Sequence, residues 1–404
     1  MRAALATLPG CLWLLLILTA LPATASTWMP AASSIDSTQR QTTTTERLRL
    51  VFYNVENLFD IQNDSLKNDL DFLPEGRRHW TRGRYWTKLN HVAEVIASIG
   101  EDRAPDLVGL CEVENDSCLY DLKHRSSLRS AGYRYVMSHG DDPRGIDVAL
   151  LYNPVHFHLL QTEEYPVPVH TIRPDAHARP VLHVSGVLLS GDTLDVLVCH
   201  WPSRLRGTRA SEPLRCLAAS VVQAVCDSLQ AVRSTAFVVV MGDLNESPSG
   251  RAVTELEAAS GLINLAHSVQ PTYTVRGKTD VKGSYRYKGR WEQLDQMLIS
   301  PSLSATLFLF NAPFLLEKEP LYGGQRPFRT FHGLRYQSGY SDHLPIYADL
   351  SFACHTAKAV RQTAVNTPAR TRESTVGKPQ MVGETKKKSV TTIVMNSAGM
   401  SVIQ

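Results

Sequence analysis

Five apolar segments of this sequence border side chains that can bind a cation, move a proton or donate a hydrogen bond. The segments are rich in β-branched residues and predict buried strands, and a strand end can present a side chain to solvent while the strand holds the backbone in place. Carboxylate and amide oxygens suit a hard divalent cation, and imidazole suits proton transfer at neutral pH. The bordering residues are Asn54, Glu112, His200, Asp243 with Asn245, and Asp342 with His343.

Taken one at a time, these matches are weak. The tetrapeptide Gly-Asp-Leu-Asn at 242–245 is typical of turns, because Asn and Asp side chains bond their own backbone and tolerate left-handed conformations. A single histidine at a strand end, such as His200 or His343, usually hydrogen-bonds a neighbour. Their occurrence together and in this order favours a catalytic site over a set of unrelated turns.

The strands that would position these residues recur through the middle of the chain. Two stretches with helical periodicity, 86–99 and 213–232, lie between some of them. Strands outnumber helices and no internal repeat is visible, so the pattern predicts a layered α/β sandwich with two sheets face to face and helices outside. The predicted strands are 48–53, 106–110, 146–152, 182–189, 194–199, 237–241, 294–299, 306–310 and 345–350.

In this order the residues resemble the motifs of the endonuclease/exonuclease/phosphatase superfamily, the deoxyribonuclease-I-like fold, over nearly all of residues 46–353. His200 is similar to the additional histidine of the deoxyribonuclease and sphingomyelinase branches, and 144–149 resembles the strand that follows the metal-binding Glu. The resemblance implies a four-layer α/β/β/α sandwich with two mainly antiparallel sheets face to face, flanked by helices. The matching residues are Asn54, Glu112, the Gly-Asp-x-Asn element with Asp243 and Asn245, Asp295 inside a late strand, and the closing Ser341-Asp342-His343.

The resemblance also implies a role for each residue. Hydrolysis of a phosphodiester needs a cation, a base beside the attacking water and donors around the charged oxygens, because the negative charge repels nucleophiles. Mg²⁺ is the implied cation, with Mn²⁺ or Ca²⁺ as alternatives. The implied roles are metal binding by Glu112, with Asn54 and Asp342 as further or water-mediated ligands; activation of the water by Asp243; donation to the phosphoryl oxygen by Asn245; stabilisation of the transition state by His343, kept cationic by Asp295; and contact with the phosphate or protonation of the leaving oxygen by His200.

Both ends of the chain differ in composition from its middle. Arg2 precedes an apolar run at 12–21, and small residues follow at 23–25, which predicts a cleaved secretory signal over residues 1–25 and an exported protein, periplasmic or secreted. The alternative is a membrane anchor, although the run is shorter than the roughly 20 residues that span a bilayer. We expect a Ser- and Thr-rich linker over 26–45, a catalytic domain over 46–353 and a disordered polar tail over 355–404.

Composition narrows the class of protein without identifying a partner. The chain has 42 Lys and Arg against 39 Asp and Glu, and its net charge of +3 is far from that of a dedicated nucleic-acid binder. A hydrophobic content of 43% excludes a wholly disordered chain. The cysteines are spread too widely for a metal knuckle, and Cys111 and Cys199 lie in apolar runs that predict small buried side chains.

The substrate follows less directly from the sequence. Extracellular nucleic acid is favoured, because Arg204 and Arg206 follow the fifth predicted strand and could grip phosphates, although an ordinary solvated loop is equally consistent. A phospholipid phosphodiesterase resembling bacterial sphingomyelinase stays open, and so does a non-catalytic binding module on the same fold. Trp80, Tyr85 and Trp86 could stack on a base, but we expect them to pack against the following helix. We expect a monomer with no stable protein partner.

Overall fold

The computed structural model describes residues 45–205, 207–233, 235–274 and 279–353. The predicted signal segment, nearly all of the predicted linker, the polar tail and Arg206 lie outside these residues. The bounds predicted for those segments therefore stay predictions. No helix in the described ranges has both the length and the apolar character needed to cross a membrane.

Strands outnumber helices in the described residues. The helices are α1 (Arg82–Gly100), α2 (Asp116–Arg125), α3 (Thr208–Val232) and α4 (Arg251–Ser260), with short 3₁₀ helices at Leu70–Phe72, Ser127–Ser130, Val169–Thr171, Leu265–Ser268 and Pro313–Leu315. The strands are β1 (Thr45–Leu58), β2 (Leu107–Val113), β3 (Arg134–Met137), β4 (Asp147–Tyr152), β5 (Phe157–Tyr165), β6 (Val181–Leu188), β7 (Thr193–His200), β8 (Phe237–Asp243), β9 (Ile263–Asn264), β10 (Gln270–Pro271), β11 (Tyr285–Tyr287), β12 (Arg290–Glu292), β13 (Asp295–Ile299), β14 (Leu307–Leu309), β15 (Leu316–Lys318), β16 (Gln325–Pro327), β17 (Phe331–His332), β18 (Arg335–Tyr336) and β19 (Ile346–Ala353).

Most of the longer strands form two sheets. The first sheet has seven strands in the order β10-β14-β19-β1-β2-β4-β3, and the second has six in the order β5-β6-β7-β8-β13-β9. Most neighbouring strands are antiparallel, but β1 with β2, β7 with β8, and β10 with β14 are parallel. The parallel pairs matter for the site, because two parallel strands end at the same edge of a sheet.

Alternation along β8 shows how the layers stack. Val239 and Met241 lie in the apolar core between the two sheets, whereas Val238 and Val240 pack with the apolar faces of α3 and α4. The sheets approach closely at Gly109, where an added Cβ would lie 2.6 Å from Met241 Sδ. Helix α1 packs on the first sheet and against α2. The predicted four-layer α/β/β/α sandwich is confirmed.

Both predicted helices exist but begin earlier than their apolar periodicity indicated. Helix α1 begins after Thr81, whose hydroxyl accepts a hydrogen bond from Arg84 N at 3.5 Å. Helix α3 begins at Thr208 and contains Pro213, which the sequence interpretation took as its start. Helices α2 and α4 were not predicted, because each has only ten residues and therefore a short apolar repeat.

Candidate active site

The candidate residues of the second sheet lie side by side at the end of three adjacent strands. The parallel pairing of β7 with β8 places His200 opposite Asp243, and the antiparallel pairing of β8 with β13 places Asp295 opposite Asp243. In the first sheet, Asn54 in β1 pairs with Cys111, which directly precedes Glu112 in β2. The amide of Asn54 reaches across to Asp243, so both sheets contribute to one site.

Unusual backbone conformations mark these strand ends. Glu56, Asn57, Glu112 and Asn245 have positive φ values of 49°, 57°, 63° and 48°, a region that non-glycine residues seldom occupy. The pairing of β2 with both of its neighbours shifts register here, as at a β-bulge. A bulge redirects the side chain that it carries, and such strain persists where surrounding contacts impose it. One of these contacts is the hydrogen bond from Asn57 N to Glu112 Oε2 at 3.0 Å.

Asp243 is the centre of the hydrogen-bond network. Its Oδ2 accepts from Asn54 Nδ2 at 3.0 Å, and its Oδ1 accepts from Asn245 N at 2.9 Å. Asn245 is held in turn by donation from its Nδ2 to Trp201 O at 3.1 Å. Burial raises the pKa of the Asp243 carboxyl, while the positive charge of His343 opposes the rise. The Asp243 carboxyl is therefore held by two hydrogen-bond donors in a buried environment.

His343 lies between two carboxylates. Its Nδ1 is 2.6 Å from Asp295 Oδ2, and its Nε2 is 3.7 Å from Asp243 Oδ2. Burial alone would lower the pKa of His343, but the charges of Asp295 and Asp243 outweigh burial and raise it to about 10. The imidazole ring also packs against Tyr285, with ring centroids 4.8 Å apart. At neutral pH His343 is therefore a buried cation.

His200 has the opposite electrostatic character. Its Nε2 lies 3.8 Å from Asp243 Oδ2 and 4.0 Å from Glu112 Oε1, and its Nδ1 is buried with no hydrogen-bond partner among the described residues. Burial, followed by the positive charges of Arg179 and Arg144, lowers the pKa of His200 well below its ordinary value. The site therefore contains one cationic imidazole, that of His343, and one neutral imidazole, that of His200.

A partly buried ionic network surrounds Asp342, and most of it was missed from the sequence. Arg329 Nη2 lies 2.8 Å from Asp342 Oδ2 and 3.4 Å from Glu56 Oε1. Lys88 Nζ donates to Thr330 Oγ1 at 2.6 Å. Burial raises the pKa of Glu56 to about 7 and lowers that of Lys88 to about 8. Glu56 follows Asn54 by two residues and could have been suspected, but nothing in the sequence indicates Lys88 or Arg329.

Two further arginines lie near His200 and were given no role from the sequence. Arg179 is buried and bridges Asp142 Oδ2, at 2.9 Å, and Trp201 O, at 2.8 Å. Arg144 Nε lies 3.4 Å from Asp142 Oδ1, and 44% of its side chain is exposed. Arg144 begins the segment that resembles the strand after the metal-binding Glu, which is the signal that could have identified it.

The residues that were considered for contact with substrate have mixed placements. Arg204 donates to the Glu292 carboxylate, so its charge is balanced within the protein. Trp80 and Tyr85 are buried, and Trp80 Nε1 donates to Phe59 O at 2.9 Å. Trp86 is half-buried and packs against the core. All three aromatic residues pack within the protein, but Tyr85 and Trp86 lie inside α1 and Trp80 packs against Phe72 and Phe331, so the packing is not simply against a following helix.

A family model described as the endonuclease/exonuclease/phosphatase family matches residues 49–351. The chain belongs to this family. Among solved structures, a family protein from Bacteroides thetaiotaomicron is 15% identical, with a TM-score of 0.52 over 78% of this chain and 99% of that chain. A mannosyl-6-phosphatase from the same organism is 16% identical, with a TM-score of 0.50 over 76% and 100%. At these identities the likeness shows the fold alone. No curated protein sequence matches the chain significantly.

Family membership confirms the resemblance inferred from the motifs. Members of the superfamily are hydrolases that act on phosphoester bonds, and they are typically metal-dependent. The individual roles of the eight motif residues stay predictions, although the structure brings their strand ends together. The exported location and the Mg²⁺ preference also stay predictions.

The residues around Glu112 fit the metal ion that is typical of the family. Within the described residues, the Glu112 carboxylate accepts a hydrogen bond only from Asn57 N. Burial raises the pKa of Glu112, and the negative charges of Asp342 and Asp243 contribute to the rise. A divalent cation would offset this accumulated charge, with Glu112 as a direct ligand and Asn54 and Asp342 beside it.

A second set of candidate ligands fits a cation less well. One ligand atom each from Asp243, Asp295 and His343 lies within 4.8 Å of the others. His343 is cationic at neutral pH, and an imidazolium has no free lone pair for a metal ion. These three residues are therefore better suited to proton handling and charge stabilisation.

Proposed function

We propose that this chain is an exported, metal-dependent phosphoesterase that cuts the phosphodiester bonds of nucleic acid, with Mg²⁺ as its cation. The observation that carries the proposal is the position of Asp243 Oδ2, which lies 3.7 Å from His343 Nε2 and 3.8 Å from His200 Nε2. The candidate base Asp243 therefore lies between the two imidazole rings, and Glu112 Oε1 lies 4.0 Å from His200 Nε2. Phosphoryl transfer requires such a grouping of base, charge and donors.

Each residue has a distinct part in the proposed reaction. Glu112, with Asn54 and Asp342, would hold the metal ion, which supplies positive charge at a phosphoryl oxygen. Asp243 orients the attacking water, because its carboxylate is held by two N–H donors, and it accepts the proton, because burial raises its pKa.

The donors stabilise the charge that develops on the phosphorus substituents. His343 remains cationic through its contact with Asp295 and donates from Nε2. Asn245 supplies an amide donor, since its Nδ2 group is positioned by Trp201 O. His200 is neutral in the resting protein, which favours contact with the phosphate over delivery of a proton to the leaving oxygen.

Support for nucleic acid as substrate comes from the arginines beside the site. Arg144 is partly exposed and Arg179 is buried, and both pair with Asp142. Arginine recognises phosphate through paired N–H donors. Arg204 supports the proposal less than its sequence position suggested, because it is paired with Glu292. The predicted signal segment adds the extracytoplasmic location to the proposal.

Hydrolysis of a phosphomonoester is the second candidate. One protein with a similar fold is named a mannosyl-6-phosphatase. A monoester carries more negative charge than a diester, and we assign the balancing charge to Arg144, whose side chain is 44% exposed and whose guanidinium also contacts Asp142. This reading uses the same catalytic residues and differs only in the substrate group.

The test is a substrate panel offered to the chain without its predicted signal segment. The panel contains plasmid DNA, RNA, bis-(p-nitrophenyl) phosphate, sphingomyelin, p-nitrophenyl phosphate and mannose 6-phosphate, each with Mg²⁺ and with a chelator. The variants are Asp243→Ala and His343→Ala, and the matched control is Asp227→Ala, on the exposed face of α3. We expect metal-dependent cleavage of DNA or RNA that falls by about 10²–10⁴-fold in both variants and not in the control.

Each other outcome points to a different conclusion. Fastest turnover of sphingomyelin would indicate a lipid phosphodiesterase, and fastest turnover of the monoesters would indicate the second candidate. No turnover of any substrate by folded, metal-loaded protein would favour the non-catalytic binding module.

A further inference from the structure

The hairpin formed by β11 and β12 extends from the active site to the protein surface. Tyr285 in β11 forms an isolated β-bridge with His343, and the two rings lie against each other with centroids 4.8 Å apart. Because side chains alternate along a strand, Tyr287 lies on the same face of the hairpin as Tyr285. In β12, Arg290 pairs with Tyr287 and Glu292 pairs with Tyr285, so both share that face. One face of the hairpin therefore carries two tyrosines and an arginine outward from the active site.

The outer end of this hairpin is exposed and positively charged. We call Tyr287, Lys288 and Arg290 the hairpin tip. Tyr287 is 53% exposed, and Lys288 Nζ lies 5.2 Å from the centroid of its ring. Within the described ranges, no carboxylate oxygen lies within 4.0 Å of a side-chain nitrogen of Lys288 or Arg290. The carboxylate of Glu292 on the same face is already paired with Arg204. The hairpin tip therefore presents an aromatic ring with two cations that have no acidic partner.

Contacts with a neighbouring loop hold the hairpin in place. Arg286, on the opposite face of β11, donates to Gly323 O at 2.7 Å and to Gln325 O. An added Cβ at Gly289 would lie 2.7 Å from Tyr322 Cβ, so the turn of the hairpin packs closely against the same loop. A surface that is ordered before binding loses less conformational entropy when a ligand binds. The hairpin tip is therefore a preformed surface at a fixed place beside the active site.

The chemistry of the hairpin tip fits a single strand of nucleic acid. Bases stack on aromatic side chains whatever the sequence, and Lys and Arg bind the backbone phosphates. A lipid surface would also meet cations and exposed apolar side chains, and Leu321 in the neighbouring loop is 76% exposed. The shared face favours nucleic acid, because Tyr287 lies only about 7 Å further along the strand than Tyr285, which contacts His343. A polymer bound at His343 therefore reaches Tyr287 with its next nucleotide.

We propose that the hairpin tip binds the nucleotide next to the scissile phosphate of a single-stranded substrate. The ring of Tyr287 stacks on the base, and Lys288 and Arg290 bind the adjoining phosphate. The inference rests on the proposed nuclease function and makes these residues determinants of its specificity. A monoester or a small diester is too short to reach the hairpin tip, so the contacts raise kcat/KM for the polymer alone.

The kinetic test compares two diesters in the presence of Mg²⁺. One is a single-stranded DNA of about 12 nucleotides, and the other is methyl p-nitrophenyl phosphate, which has no nucleoside. The ratio of kcat/KM for DNA to kcat/KM for the small diester should fall by about 5–100-fold in Tyr287→Ala, because stacking on one aromatic side chain contributes about that factor. Tyr287→Phe keeps the ring and should keep the ratio. The matched control is Tyr120→Ala in α2, where the tyrosine is 46% exposed, and it should also keep the ratio.

A binding test separates the hairpin tip from the chemistry. The fluorescence anisotropy of the labelled DNA is measured in chelator with Asp243→Asn protein, so that no turnover occurs. Adding Tyr287→Ala should raise Kd by about 5–100-fold. Adding Arg290→Gln should lower the slope of log Kd against log salt by about 0.7, the value for one phosphate contact on a single strand. Thermal unfolding checks that each variant folds, and Arg290→Gln carries the test if Tyr287→Ala does not.

The outcomes distinguish this proposal from the proposed function. Hydrolysis of DNA with an unchanged ratio in Tyr287→Ala would overturn the role of the hairpin tip and leave the nuclease function standing. Binding of DNA that depends on Tyr287, without hydrolysis of any substrate, would support the hairpin tip and refute the nuclease function.

Three other results would also overturn the role of the hairpin tip. An equal loss of kcat/KM for both diesters in Tyr287→Ala would make Tyr287 a structural residue. Hydrolysis of the small diester by protein that neither binds nor cuts DNA would exclude a nucleic-acid site. Binding to phosphatidylserine vesicles in place of DNA, lost in Tyr287→Ala, would assign the hairpin tip to a lipid surface.

Discussion

Replacing Asp295 by Asn tests whether His343 acts as a cation. The pKa of His343 is raised from an ordinary 6.5 to about 10, even though burial opposes the rise. That difference of roughly 3.5 units corresponds to ~5 kcal/mol in favour of the charged imidazole. An opposite charge at hydrogen-bond distance usually supplies about 1–3 units, so Asp295→Asn should lower the pKa of His343 to about 7–9.

The change predicts a specific effect on the pH profile. If catalysis requires the cationic form, the basic limb of kcat/KM moves from about 10 into the range 7–9 in Asp295→Asn. Activity at pH 9 then falls by about 2-fold for a pKa of 9 and by about 100-fold for a pKa of 7, while activity at pH 6 falls much less, because His343 is still protonated there. The assay is initial rate against pH from 5 to 10 with Mg²⁺ and a chromogenic phosphodiester, with exposed Asp102→Asn as the control.

The unfolding free energy should depend on pH in a corresponding way. A histidine whose folded pKa is raised contributes stability that is fully present below about 6.5 and is lost as pH rises through about 10. The difference in unfolding free energy between wild type and Asp295→Asn should therefore be largest near pH 6 and shrink toward pH 10. A loss of activity by the same factor at every pH, with an unmoved basic limb, would refute the reasoning and leave Asp295 a purely geometric role.

Three other substitutions test separate parts of the structure. Lys88→Met should lower the unfolding free energy by ~3–5 kcal/mol in urea titrations at a pH between the pKa of Glu56, about 7, and that of Lys88, about 8, because both groups are then largely charged and Glu56 loses a compensating charge. The loss should shrink at pH 5, where Glu56 is protonated, and an equal loss at both pH values would contradict this. Asn245→Ala should lower kcat by about 10²–10³-fold with little change in KM, and a change in KM alone would assign Asn245 to substrate binding. Arg204→Gln should alter stability by less than about 1 kcal/mol; if the arginine meets DNA, the salt dependence of DNA binding should also fall by about one unit of slope, and an unchanged slope would remove it from the interface.

The strand ends of the active site were predictable because two local signals coincide there. Apolar segments rich in β-branched residues mark β7 and β8, and a polar residue at the end of each marks the edge of a buried sheet. His200 and Asp243 could be found in this way. Their adjacency, which follows from the parallel pairing of the two strands, required the fold.

Other parts of the site depend on contacts that no local pattern encodes. Lys88 lies within the amphipathic helix α1, where a lysine ordinarily faces water, yet it is buried against Thr330. Arg329 reaches Asp342 and Glu56 from a loop whose course is set by tertiary packing. The bulge at Glu112 is similar: the sequence identifies the residue but not the positive φ that turns it.

The burial of acidic groups at the active site has a consequence for engineering this protein. Burial raises the pKa of both Glu112 and Asp243, so holding them ionised at neutral pH consumes part of the folding free energy. In metal-free protein, the neutral substitutions Glu112→Gln and Asp243→Asn remove this unfavourable contribution to the folding free energy. The same substitutions also remove the proposed chemistry. A library screened for heat resistance alone would therefore enrich inactive variants at these two positions, so selection for thermostability must be coupled to a turnover assay.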